Sequence, residues 1–219
     1  MKKNLIFILI IVILIVAGVF GYKGLIKKEE ISPKEKIIMP KNLEGKKIAM
    51  IIAFRNFRDA EYFLPKEILE KAGAKITTVA TKMGTAIGAD GGDTEVDLVV
   101  ENLNVADFDA IVFIGGPGAL DYLDNENSYR VVRETVEKDK ILGSICISPV
   151  ILAKAGVLSG KRATVWSSPL DRSPVKILKE NGAIYEDKDV VVDGKIVTAN
   201  GPEAAQEFGQ KLIEGLTNI

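Results

Sequence analysis

Histidine is absent from the 219 residues, and cysteine occurs once, at Cys146. The first absence excludes histidine-based metal sites, Ser-His-Asp triads and Cys-His dyads. The second excludes any intramolecular disulfide. With a net charge of -1 there is no basic excess to neutralise phosphates, so nucleic acid is not an expected partner. No metal and no other cofactor is expected. Apolar residues, by contrast, make up 47% of the chain. That suits one sizeable domain, in a chain too short for two comfortable ones.

The first segment differs from the rest. Met1-Lys2-Lys3-Asn4 precedes an unbroken apolar run from Leu5 to Phe20, extended by Gly21 and Tyr22 before Lys23. The run is near the short end of what spans a bilayer, and it lacks the polar face of a core helix. Residues 1–24 are therefore expected to be an N-terminal transmembrane helix kept as a single-pass anchor. The alternative is a signal segment cleaved near Val16-Ala17-Gly18, which would leave a secreted domain. Lysines flank both ends of the run, so the positive-inside count does not decide the side. The short tail resembles a bacterial signal anchor and leans the domain towards the extracytoplasmic side. Residues 25–45, charged and punctuated by Pro33 and Pro40, read as a linker, with the folded domain at 46–219.

Within the domain, strand-like and helical patterns alternate. Ile48–Phe54 and Ala110–Ile114 are continuous apolar runs, as buried parallel strands should be. Lys75–Ala80, Thr94–Val100, Ile141–Ile145 and Ala163–Trp166 add further strands. Val190–Ala199 reads as a hairpin about Asp193-Gly194, a type I′ signal. Helical spacing covers Glu61–Ala72, Asn127–Lys138, Pro149–Ala155, Val175–Glu180 and Glu203–Leu216. Pro65 is expected to disturb the first of these near its start, and Met83–Asp93 is expected to be a loop. The alternation implies an α/β fold with a mostly parallel sheet and helices on both faces. In such sheets ligands sit beyond the carboxyl ends of the strands, here Gly115-Gly116 and Cys146.

In Gly143-Ser144-Ile145-Cys146-Ile147-Ser148-Pro149 an apolar strand runs directly into a helix, with the cysteine at the junction. Ser148 suits a helix cap, and Pro149 the first helical position. Ser144 and Ser148, two residues either side of Cys146, are small enough for a nucleophile elbow. A sulfur held at a helix start is expected to have a lowered pKa, and N–H groups there can hold an oxyanion. The alternative is an inert, buried small hydrophobe.

The segment Ser144–Pro149, with Leu152-Ala153-Lys154-Ala155-Gly156 after it, resembles the nucleophile segment of the DJ-1/PfpI superfamily. Asp59-Ala60-Glu61-Tyr62-Phe63-Leu64-Pro65 resembles the stretch carrying that family's acidic partner. Phe108-Asp109-Ala110 through Gly118, and Ala199-Asn200-Gly201-Pro202, fit in order and spacing. The resemblance implies a flavodoxin-like three-layer sandwich, usually a homodimer. It also implies Cys146 as nucleophile, a protonated Glu61 hydrogen-bonded to the sulfur, and the backbone of Gly116 and Ile147 as oxyanion donors. Taken alone, Glu61 reads as an ordinary helix-start glutamate; the Pro65 spacing and the Cys146 elbow bring the partner reading level with it.

The chain departs from the family where many members place histidine after the cysteine: here stands Ile147. Near the following strand it reads Val165-Trp166-Ser167-Ser168, and Arg58 replaces a common acidic residue. Without a histidine base, proteolysis is not expected. Two functions lead: glyoxalase or deglycase chemistry on a small carbonyl substrate, and a redox or stress-responsive module whose partner is an oxidant. In a third, Arg55, Arg58 and Trp166 reshape the pocket of a non-catalytic descendant.

Overall fold

The computed structural model describes residues 42–217. The expected membrane segment 1–24 and most of the linker lie outside the described residues. Among the described residues no helix is long and apolar enough to cross a membrane. Leu43, in the stretch read as linker, is already fully buried, and its N–H donates to the Ala72 carbonyl at 2.7 Å.

The centre is a seven-stranded sheet in the order β11-β12-β8-β7-β1-β3-β6. Its strands are β1 (Lys47–Ile51), β3 (Lys75–Ala80), β6 (Leu98–Val99), β7 (Ala110–Phe113), β8 (Ile141–Ile145), β11 (Val190–Asp193) and β12 (Ile196–Ala199). Every pairing is parallel except β11 with β12. Successive β1 side chains enter opposite cores. Ile48 and Met50 pack in the layer that holds Tyr62, Leu69, Phe208 and Leu212, whereas Ala49 and Ile51 pack with Val131, Val132, Ile151 and Leu178. The first layer belongs to α1 (Asp59–Lys71) and α6 (Ala205–Thr217). The second belongs to α3 (Glu126–Glu137), α4 (Pro149–Lys154) and α5 (Ser173–Glu180); a short α2 (Ala119–Leu123) precedes α3. Covering both faces is why the central strands read as unbroken apolar runs.

Several expectations are corrected. Met83–Asp93 is not a loop: β4 (Gly84–Gly88) and β5 (Asp93–Val96) form an antiparallel pair, joined by β2 (Arg55–Phe57) in a separate three-stranded sheet. The strand expected over Thr94–Val100 is split between β5 and the edge strand β6. Ala163–Trp166 shortens to β9 (Arg162–Ala163), paired only with β10 (Ile184–Tyr185). Pro65 does not disturb α1, which runs continuously. Its ring removes one N–H bond, and the residue is buried against α6, where a Cβ on Gly209 would stand 3.4 Å from its Cα. The hairpin turn is centred on Gly194-Lys195, with positive φ at Gly194 alone, so it is not type I′.

Candidate functional site

Cys146 stands at the carboxyl end of β8 with φ +65°, one of three non-glycine residues at positive φ among those described. A cysteine there is strained, since the left-handed region crowds its Cβ. The surroundings hold it in place. Its N–H donates to the Ala199 carbonyl at 2.9 Å, and its carbonyl accepts the Trp166 N–H at 2.8 Å. Ser148 does not cap α4: its buried hydroxyl donates to the Ile114 carbonyl at 2.8 Å, tying the elbow to the end of β7. Ser144 is fully buried, as a tight bend with no space for a larger side chain requires.

Gly115 and Gly116, just past β7, let three segments meet. A Cβ on Gly115 would lie 2.5 Å from the Cys146 Cβ and 2.8 Å from Glu61 Oε2. A Cβ on Gly116, at φ +118°, would lie 2.3 Å from the Arg58 backbone nitrogen. Arg58 N–H donates to the Gly115 carbonyl at 3.0 Å, so the turn also fixes the start of α1. Glu61, in the first turn of α1, is fully buried. The structure thus brings Cys146, Glu61, Gly116 and Ile147 together. The N–H groups of Gly116 and Ile147 are directed at the sulfur, and the Glu61 carboxyl faces the thiol. Neither Glu61 oxygen closes a hydrogen bond of full geometry, which leaves a buried carboxyl with its bonding capacity unspent.

Burial raises the Glu61 pKa from 4.5 to about 7, against smaller lowering effects from the thiol, Arg58 and the Gly115 N–H. Burial also pushes the Cys146 thiol up, and the Glu61 charge adds to that; the Gly116 and Ile147 N–H groups act in the opposite direction without overcoming it. The expectation of a lowered cysteine pKa is therefore corrected. Two acids this close in a dry site cannot both ionise, so they titrate as a pair that loses its first proton near neutrality. Such a pair suits proton transfer from sulfur to carboxylate as the sulfur attacks, with the two N–H donors beside the new oxyanion.

Around this core, Arg58 is committed to Asp90 through contacts of 2.9 and 3.1 Å. Asp59 accepts N–H bonds from Asp90 and Gly92, folding the 88–92 loop onto the same side. Arg55 lies over the Phe54 ring, and Trp166 is half-buried at the edge of the core. Sequence reasoning marked Gly115 only as a strand end, and not as the position whose lack of a side chain admits Glu61 to the sulfur. The Gly115-Gly116-Pro117-Gly118 run was the available signal. It also missed Glu203, whose charge is felt at Glu61. No local pattern marks it. Among the described residues, no three His, Cys, Asp or Glu side chains are grouped as metal ligands.

A three-layer α/β sandwich with a strained cysteine elbow beside a buried glutamate defines a class of cysteine-centred proteins. Residues 46–215 match the DJ-1/PfpI family, and the chain belongs to that family. It is 40% identical over 176 residues to an uncharacterized protein of Methanocaldococcus jannaschii, covering 80% of this chain and 84% of that one. It is 31% identical to a protein of Pyrococcus abyssi named a deglycase, over 70% of this chain and 89% of the relative. The solved ThiJ/PfpI domain protein from Brachyspira murdochii superposes with a TM-score of 0.75 at 33% identity, covering 80% of this chain and 99% of that one.

Proposed function

We propose that the chain is a cysteine-dependent enzyme of glyoxalase or deglycase type, acting on small reactive aldehydes such as 2-oxoaldehydes. The observation that carries this reading is the buried Glu61 carboxyl, held near neutrality beside the strained Cys146 thiol. The sulfur adds to the aldehyde carbon while Glu61 accepts the thiol proton, and the Gly116 and Ile147 N–H groups hold the oxyanion. Glu61 returns that proton to the oxygen, giving a hemithioacetal. It then takes the carbon-bound proton to give an enediol, returns it to the neighbouring carbon, and the hydroxyl proton passes to that carbon's oxygen, giving a 2-hydroxy thioester for hydrolysis. The deglycase name of the Pyrococcus abyssi relative supports the same class of chemistry. Purified protein given methylglyoxal should form lactate; equal rates from wild type and Cys146→Ala would end the proposal.

A second reading is a redox or stress-responsive module, in which Cys146 oxidises to a sulfenic or sulfinic acid. The N–H groups directed at the sulfur would stabilise the new oxygens, which favours it. Intact mass after mild peroxide treatment tests it, and a thiol left unmodified in folded protein counts against it. Residues 1–24 are proposed as a membrane anchor, tested by whether alkaline carbonate extraction leaves the chain in the membrane fraction. A homodimer is proposed from the family resemblance, with sedimentation as its test.

A further inference from the structure

The proposed reaction ends on a thioester, and releasing it needs a water molecule together with a base that water can reach. Glu61 suits transfers at the sulfur and the adjacent carbon, but it is fully buried. The chain has no histidine. Asp90 is occupied on both oxygens by Arg58, and Arg58 is a cation that cannot accept a proton at neutral pH.

Asp59 accepts the N–H groups of Asp90 and Gly92 on its two oxygens, which leaves Glu203 as a carboxylate without such partners. The Ala199 carbonyl holds the Cys146 N–H, and the chain continues from it through Asn200, Gly201 and Pro202 to Glu203. Gly201 is buried and has no side chain, which leaves a gap that a methyl group would fill. From where its Cβ would stand, the nearest atoms are Trp166 Cδ1 at 3.8 Å and Glu203 Oε2 at 3.9 Å. Trp166 in turn donates its N–H to the Cys146 carbonyl. Of the two residues beside this gap, Trp166 is bonded to the elbow directly, and Glu203 follows four residues after the elbow's partner Ala199. Glu203 is exposed and has no ion pair among the described residues, and its charge is felt at Glu61.

We propose that Glu203 is the carboxylate that activates water for release of the acyl group from Cys146, the task for which this chain has no histidine. The inference rests on the aldehyde-enzyme reading. The water oxygen bonds to the acyl carbon as its proton passes to Glu203. The carbon–sulfur bond then breaks, and the departing sulfur recovers that proton through solvent. The products are a 2-hydroxy acid and the free thiol, with no external oxidant or reductant.

The test compares the full-length wild type and Glu203→Gln with methylglyoxal, and treats each with hydroxylamine once unreacted methylglyoxal has been removed. Glu203→Gln should lose about a hundredfold or more in lactate formation, the usual scale for a general base. Hydroxylamine, a nucleophile needing no such base, should restore release from the variant as the lactoyl hydroxamate. Alkylation of Cys146 by iodoacetamide should match the wild type, showing the elbow intact. Wild-type turnover in Glu203→Gln would overturn the proposal, as would lost turnover with no hydroxamate formed or with altered alkylation. A wild type that makes no lactate would instead overturn the enzyme reading and this inference with it.

Discussion

Replacing Glu61 by glutamine isolates the cost of its buried carboxylate. The folded protein keeps the Glu61 proton up to about pH 7, while the unfolded chain releases it near 4.5. Between these values the folded state binds more protons, so its stability falls as pH rises. The stabilisation is fully present below pH 4.5 and is lost as pH passes 7. Each unit of difference corresponds to about 1.4 kcal/mol, so wild type should lose about 2–3 kcal/mol more than Glu61→Gln between pH 5 and pH 8. Glutamine keeps the shape of the side chain and cannot ionise, so the difference cancels the titration of the other carboxylates. Urea denaturation of both proteins at several pH values measures it. Parallel profiles, differing by less than about 0.5 kcal/mol over the range, would show that Glu61 titrates normally. The argument for a coupled pair would then be refuted.

Substitutions at three further positions probe the elbow. Gly116→Ala places a methyl group against the Arg58 backbone at a φ that disfavours it, and should cost at least about 2 kcal/mol in thermal or urea unfolding. Ser148→Ala leaves the Ile114 carbonyl buried without its partner and should cost about 1–3 kcal/mol. At position 146 the ranking should invert the usual one: Cys146→Gly should be about 1 kcal/mol more stable than Cys146→Ala, because φ +65° suits glycine alone. Equal stabilities of the last pair would mean the elbow is not strained.

The sequence by itself determined the layered α/β architecture and the place of Cys146 at a strand-to-helix elbow. β1, β7 and β8 are legible because helices cover both faces of the sheet, which makes their buried positions apolar save for the small Ser144. The elbow is legible because a sharp bend demands small residues at fixed offsets from Cys146. Tertiary structure alone decided the short strands β2, β4 and β10 and the bounds of β5 and β9, which are held by their pairing partners rather than by an apolar pattern. It also decided the sign of the thiol shift. The order of residues exposes the nearby helix start, which would lower the pKa, but burial and the Glu61 charge arise only when α1 and the Gly115-Gly116 turn close over β8. Glu203 comes to act on Glu61 by the same route, on the 3-10 turn Pro202–Ala204 that follows β12, itself paired with β8. Desolvation and charge proximity depend on distances through space, and those exist only once the chain has folded.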